Sequence, residues 1–142
     1  MAESALKRYA DIEIGETASF ETAITEATVS EFAKLSGDES PIHTDEDYAS
    51  KTPFGHRIAH GMIVGALFSR LVGMRLPGRY ALYLSQTLRF HKPVALATTV
   101  VVKGEVTAKS DAVRTVTIAT TAHDRVTGAL LADGTAMVQL LY

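Results

Sequence analysis

Residues 61–72, Gly61-Met62-Ile63-Val64-Gly65-Ala66-Leu67-Phe68-Ser69-Arg70-Leu71-Val72, decide the fold. Nearly every position is apolar, small residues are spaced through the run, and only Ser69 and Arg70 bring polarity. A helix on the surface of a domain keeps a polar stripe, so one that is apolar on almost all faces is enclosed by other structure. Leu76-Pro77-Gly78 ends it, in the place where proline and glycine follow a helix.

Downstream the period changes to two. Leu82 to Phe90 alternates and stops at Pro93. Thr98 to Thr107 carries Val100, Val102 and Val106 on one face, with Thr99, Lys103 and Glu105 opposite. Val113 to Thr121 is rich in valine and threonine, and Leu130 to Leu141 alternates again. Residues 108–112 and 124–128 have hairpin composition, so four strands in a meander are expected. Upstream, Ala18 to Thr25 reads as a first strand. Thr28-Val29-Ser30-Glu31 has the form of a capping box, and the helix after it runs through Phe32 and Leu35 to a left-handed cap at Gly37. Pro41 forbids one continuous helix from Asp38 to Tyr48, while Asp45 caps a further turn. The whole predicts an α+β domain spanning 1–142, an antiparallel sheet wrapped around one long central helix. Leu82, Leu84, Val101 and Leu131 are apolar at outward positions, so a second subunit is expected to share the burial.

Composition removes several classes of chemistry. With no cysteine among 142 residues there is no disulfide, zinc thiolate site, iron–sulfur cluster or thiol nucleophile. A net charge of -2, with acids and bases mixed, gives no general pull toward nucleic acid or an anionic membrane. The first residues, MAESALKRYADIEIGE, lack an apolar leader core, and no apolar run reaches the length of a membrane span. A soluble cytoplasmic protein is the expectation.

The densest chemical signal is Gly37-Asp38-Glu39-Ser40-Pro41-Ile42-His43. An acid and a histidine five residues apart stand in a segment that Gly37 and Pro41 hold out of regular structure. Together they can take a proton from water and deliver one elsewhere. By residue type alone, Asp38 could equally cap a turn and His43 lie idle on a loop. A second feature adds to the first: His60-Gly61-Met62 opens the apolar helix without a Ser, Thr, Asp or Asn before it. Free amides at a helix start, with no side chain at Gly61, suit an oxyanion. Gly61 is also what close packing would require.

Taken in order, Gly37-Asp38-x-x-Pro41-x-His43, Tyr48-Ala49, His60-Gly61-Met62, Leu76-Pro77-Gly78 and the strand from Tyr83 to Pro93 resemble the MaoC-like hydratases. Within them the resemblance is to the single-domain (R)-specific enoyl-CoA hydratases that feed polyhydroxyalkanoate synthesis, and it runs from about Ile14 to the C-terminus. It implies a hotdog fold, a homodimer, and syn hydration of a trans-2-enoyl-CoA to the (R)-3-hydroxyacyl-CoA without a cofactor. Asp38 and His43 would hold and activate the water, and the Gly61 amide would bind the thioester oxygen. Ser69 matches a serine that supports the acid. Ser40, Ser69 and Met62 are thus expected near substrate. Ser40 stands where the family usually has asparagine, which has paired donor and acceptor ends that serine lacks.

Other candidates read more plainly. His56 and His60 have a metal-ligand spacing, but glycines bracket them and no third ligand is evident, so no metal is expected. Arg57, Arg75, Arg79, Arg89 and Lys92 either meet coenzyme A phosphates or are solvated charges on the sheet rim. A thioesterase on the same scaffold, attacking the carbonyl carbon instead, is the alternative enzyme. A silent acyl-thioester binding protein is the alternative from another class.

Overall fold

Thr25 starts the first helix through its own side chain: its Oγ1 accepts from the Thr28 amide at 3.1 Å, and Thr28 Oγ1 accepts from the Thr25 amide at 3.2 Å. This reciprocal box sits one turn earlier than the expected Thr28–Glu31 pair, because a threonine is already present at the offset from Thr28 that caps require. The computed structural model describes residues 2–142. Along the chain lie β1 (Thr17–Ala23), α1 (Glu26–Ser36), α2 (Pro41–Thr44), α3 (Glu46–Ser50) and α4 (Met62–Met74). There follow β2 (Ala81–Gln86), β3 (Arg89–Phe90), β4 (Thr99–Ser110), β5 (Thr115–Asp124) and β6 (Leu130–Leu140).

The strands form one antiparallel sheet in the order β1-β4-β5-β6-β2, with short β3 also beside β6. The hairpins β4–β5 and β5–β6 are those expected. The simple meander is not: β2 pairs with β6 at one edge, Leu82 opposite Gln139 and Tyr83 opposite Val138, and β1 closes the other edge beside β4. That choice of neighbour joins segments far apart along the chain, so no local pattern announces it. The expected strand from Leu82 to Phe90 is likewise split, and Gly134 explains the close approach there. A Cβ on it would collide with the Thr87 carbonyl, at the break between β2 and β3.

Strand alternation directs Val100, Val102, Val106, Ile118 and Ala122 to one face, all essentially buried. Against that face lies α4, presenting Ile63, Val64, Phe68, Leu71 and Val72. The helix comes closest at Gly104, where an added Cβ would stand 2.8 Å from Leu71 Cδ2 and 3.1 Å from Ile118 Cγ2. A curved antiparallel sheet around one long helix is the hotdog arrangement.

Two expectations about outward faces need correction. Leu131 is buried, not outward, because the bulge where Ala122 pairs with Ala132 but His123 with Leu130 turns it into the core. And α4 is not enclosed on all sides by its own chain, since Met62, Ala66, Ser69 and Arg70 are exposed along one face. Leu82 and Leu84 are exposed as expected, and Val101 is half-buried. Among the described residues no helix is long and apolar enough to cross a membrane.

Candidate active site

The segment from Gly37 to Asp45 is shaped by its own backbone. Gly37 ends α1 at φ 76°, a left-handed conformation that glycine adopts without a Cβ clash, and its amide bonds the Ala33 carbonyl. The Asp38 carboxylate then accepts from the Ser40 amide at 3.2 Å, an Asx-type turn. Pro41 occupies the first turn of α2, where its missing N–H costs nothing. Asp45 ends that turn and caps α3, accepting from the Tyr48 amide at 3.1 Å, as expected.

His43 faces a strand-like segment at residues 57–59. Its Nδ1 lies 2.7 Å from the Ile58 carbonyl oxygen. A carbonyl can only accept, so Nδ1 carries a proton, and in the neutral ring Nε2 keeps its lone pair. His60, which is buried, follows the same logic: its Nε2 lies 2.8 Å from the Asp38 carbonyl and donates to it, while Nδ1 is buried without a partner. The His43 and His60 rings stack with centroids 4.0 Å apart, and Phe32 closes on His60 from the other side at 4.8 Å. His60 thereby holds both members of the Asp38–His43 pair, one through the backbone and one through its ring. Residue type alone marks His60 only as a metal candidate; its place directly before Gly61 is the one sequence sign of a second role.

Asp38, His43 and His60 each offer a donor atom within 4.8 Å of the others. Their rings do not suit a shared cation, though. Stacked imidazoles inclined by 29° send their lone pairs side by side instead of toward one point, and one nitrogen of each ring is already committed to a carbonyl. His56 is exposed and bonds Glu46 at 3.0 Å, so the His56–His60 pair does not converge either. The arrangement can accept and return a proton at His43 and at the Asp38 carboxylate.

Gly61 opens α4 with no side-chain cap on its amides. A cavity of about 270 Å³ lies against it, lined by His43, Ile58, Gly61, Val64, Phe90 and Leu131 among others. Phe90 packs directly beside Gly61 at its edge: a Cβ on Gly61 would meet the Phe90 ring at 3.1–3.3 Å. An apolar cavity with a histidine on one wall and an uncapped helix start on another can hold an acyl group and polarise its carbonyl.

The remaining expected residues are more scattered. Asp38 and Ser40 are exposed, and the Ser40 side chain caps nothing; the residue contributes through its amide and through its carbonyl, which accepts from the His43 amide at 2.9 Å. Met62 is half-exposed at the first turn of α4. Ser69 is exposed two turns further on, about 12 Å from Gly61 along the axis. It makes no hydrogen bond to Asp38 among the described residues, so within one chain the expected support of the acid is not formed. Arg57 is not free for a phosphate, being bonded to Glu26 and Glu46 at 2.9 and 3.3 Å. Arg75, Arg79, Arg89 and Lys92 are exposed.

Comparison with known proteins follows the same lines. The family described as "MaoC like domain" matches residues 10–127. The chain is 46% identical over 98 residues to a 3-hydroxybutyryl-CoA dehydratase of Methylorubrum extorquens, covering 69% of this chain and 62%, under two thirds, of that protein. It is 39% identical to an (R)-specific enoyl-CoA hydratase of Rhodospirillum rubrum over 95% of this chain and 92% of that one. Among solved structures, the unliganded R-hydratase PhaJ1 from Pseudomonas aeruginosa superposes with a TM-score of 0.89 at 40% identity, over 94% of this chain and 84% of that one.

Proposed function

We propose that this chain, which belongs to the MaoC-like domain family, is a lyase that adds water reversibly to a trans-2-enoyl-CoA and gives the (R)-3-hydroxyacyl-CoA. The observation that carries the reading is the convergence of three features on one place. They are an acid, a histidine whose Nε2 lone pair is fixed by a carbonyl, and a helix start without a cap. The identities to a 3-hydroxybutyryl-CoA dehydratase and an (R)-specific enoyl-CoA hydratase support the reaction class and the stereochemistry proposed.

In the hydration direction, water held between the Asp38 carboxylate and His43 Nε2 loses a proton to the pair as its oxygen bonds the β-carbon. Electron density moves through the α-carbon to the thioester oxygen, where the Gly61 amide and the positive end of α4 meet the growing charge. The enolate then takes a proton at the α-carbon from the same pair, so the two hydrogens of water are accounted for. Asp38 and His43 act as one coupled unit, and no microscopic order is assigned to them. We further propose that two copies associate through the β2 edge and the open face of α4. Exposed Leu82, Leu84 and Met62 support this, and light scattering tests it directly.

Incubation with crotonyl-CoA decides the chemistry. Loss of enoyl absorbance without free thiol is the expected result. Release of free thiol would mean hydrolysis instead, and neither change would leave only a binding protein.

A further inference from the structure

Arg57 does something more specific than carry a surface charge. Its Nη2 donates to Glu26 Oε1 at 2.9 Å, its Nε donates to Glu46 Oε2 at 3.3 Å, and its backbone amide donates to that same Glu46 oxygen at 3.3 Å. Glu26 opens α1 and Glu46 opens α3, and the segment from Asp38 to His43 hangs between those two helices. The arginine side chain is only 17% exposed, although the carboxylates it joins are 75% and 53% exposed. His56 and Arg57 together hold the Glu46 carboxyl below the ordinary carboxylate range, so the pair stays charged.

The next residue is the one that orients the histidine. Ile58 gives its amide to the Ile42 carbonyl at 3.3 Å and its own carbonyl to His43 Nδ1 at 2.7 Å. From behind, Ala59 is tied to Val94 at 2.7 Å. The carbonyl that accepts from His43 therefore belongs to the residue next in the chain to the clamp at residue 57. A planar fork can bond two carboxylates from one side chain, which an ammonium on a flexible stem does far less well.

We infer that Arg57 is a positioning residue: by clamping α1 to α3 it fixes the Ile58 carbonyl and, through it, the tautomer and orientation of His43. The inference rests on the role proposed for His43 in hydration. Exposed carboxylate partners add little to stability, whereas a displacement of about an ångström in a catalytic group costs up to about a hundredfold in rate.

The test compares wild type with Arg57→Met, Arg57→Lys and Glu46→Gln, each checked for folding by thermal melting. Arg57→Met should lower kcat for crotonyl-CoA by about ten- to a hundredfold with KM held within about twofold. Arg57→Lys should recover only part of the loss. Nitrogen NMR of the His43 ring should show one Nδ1-protonated tautomer in wild type and a mixture in Arg57→Met. That second readout needs no turnover, so it judges the clamp even if the protein does not hydrate enoyl thioesters. A folded Arg57→Met with wild-type kcat, or with an unchanged His43 tautomer, overturns the inference. Should Arg57→Met fail to fold, Glu46→Gln carries the same two readouts, and the same results support or overturn the clamp.

Discussion

Replacing Gly61 by alanine separates activity from stability. Gly61 has helical dihedrals, φ -57° and ψ -36°, so a Cβ there is not strained by the backbone. In a helix interior alanine exceeds glycine by about 0.5–1 kcal/mol, but Gly61 is the N-cap, where that preference does not hold in full. Against this stands the contact with Phe90, whose ring atoms would lie 3.1–3.3 Å from the new carbon and must move by a few tenths of an ångström. Phe90 is 50% exposed and can move, so the net change in stability is within about 1 kcal/mol, or a few degrees in Tm. The methyl nonetheless takes up space between Gly61 and Phe90 at the edge of the cavity, beside the amide proposed to meet the thioester oxygen. Alanine keeps its own amide, but a methyl that bars the oxygen from it forfeits one such donor, which costs on the order of a hundredfold in kcat, about 2.7 kcal/mol of transition-state stabilisation. Thermal melting and the initial rate of enoyl absorbance loss with crotonyl-CoA measure both effects. A Gly61→Ala protein with wild-type kcat/KM would refute the placement of the oxyanion at this helix start.

Three further outcomes are expected. Asp38→Asn and His43→Ala should each lower turnover by about a hundredfold or more with the melting temperature little changed, since Asp38 is exposed and His43 only half-buried. Phe68→Ala should destabilise by about 3–5 kcal/mol in denaturant unfolding, because Phe68 is fully buried between α4 and the sheet. Tyr83, whose phenol burial pushes up to about 12, should ionise late in a phenolate absorbance titration of the folded protein. Its folded value is above the ordinary 10.0, so its linkage leaves stability unchanged below pH 10 and lowers it as pH rises from there toward about 12. Tyr83→Phe should remove that alkaline component.

What can be read from the chain is mostly local. The apolar run at 61–72, the left-handed stop at Gly37, the cap at Asp45 and the two C-terminal hairpins each depend on neighbours in sequence, and they stand where expected. The pairing of β2 with β6 depends on residues at the far end of the chain, and the inward turn of Leu131 depends on a bulge. Neither leaves a periodic trace. The same division runs through the site. Asp38 and His43 are visible as a pair, but the carbonyl of Ile58 that gives His43 its lone pair is a backbone atom, and any residue type supplies one. His60 and Arg57 carry visible chemistry, yet residue type and spacing point them to metal binding and phosphate contact. Only the folded distances show a ring stacked on His43 and a guanidinium held by two carboxylates.

The acid, both imidazoles, the orienting carbonyl and the uncapped amide all come from residues 38–61, the connection between α1 and α4, and none from the sheet. Beyond that connection, the sheet contributes apolar wall to the cavity, through residues such as Phe90 and Leu131. The molecule is therefore modular in how it can change. Substitutions along the strands can reshape the cavity while Asp38, His43 and His60 keep their distances. Lengthening or shortening the connection would disrupt those groups together.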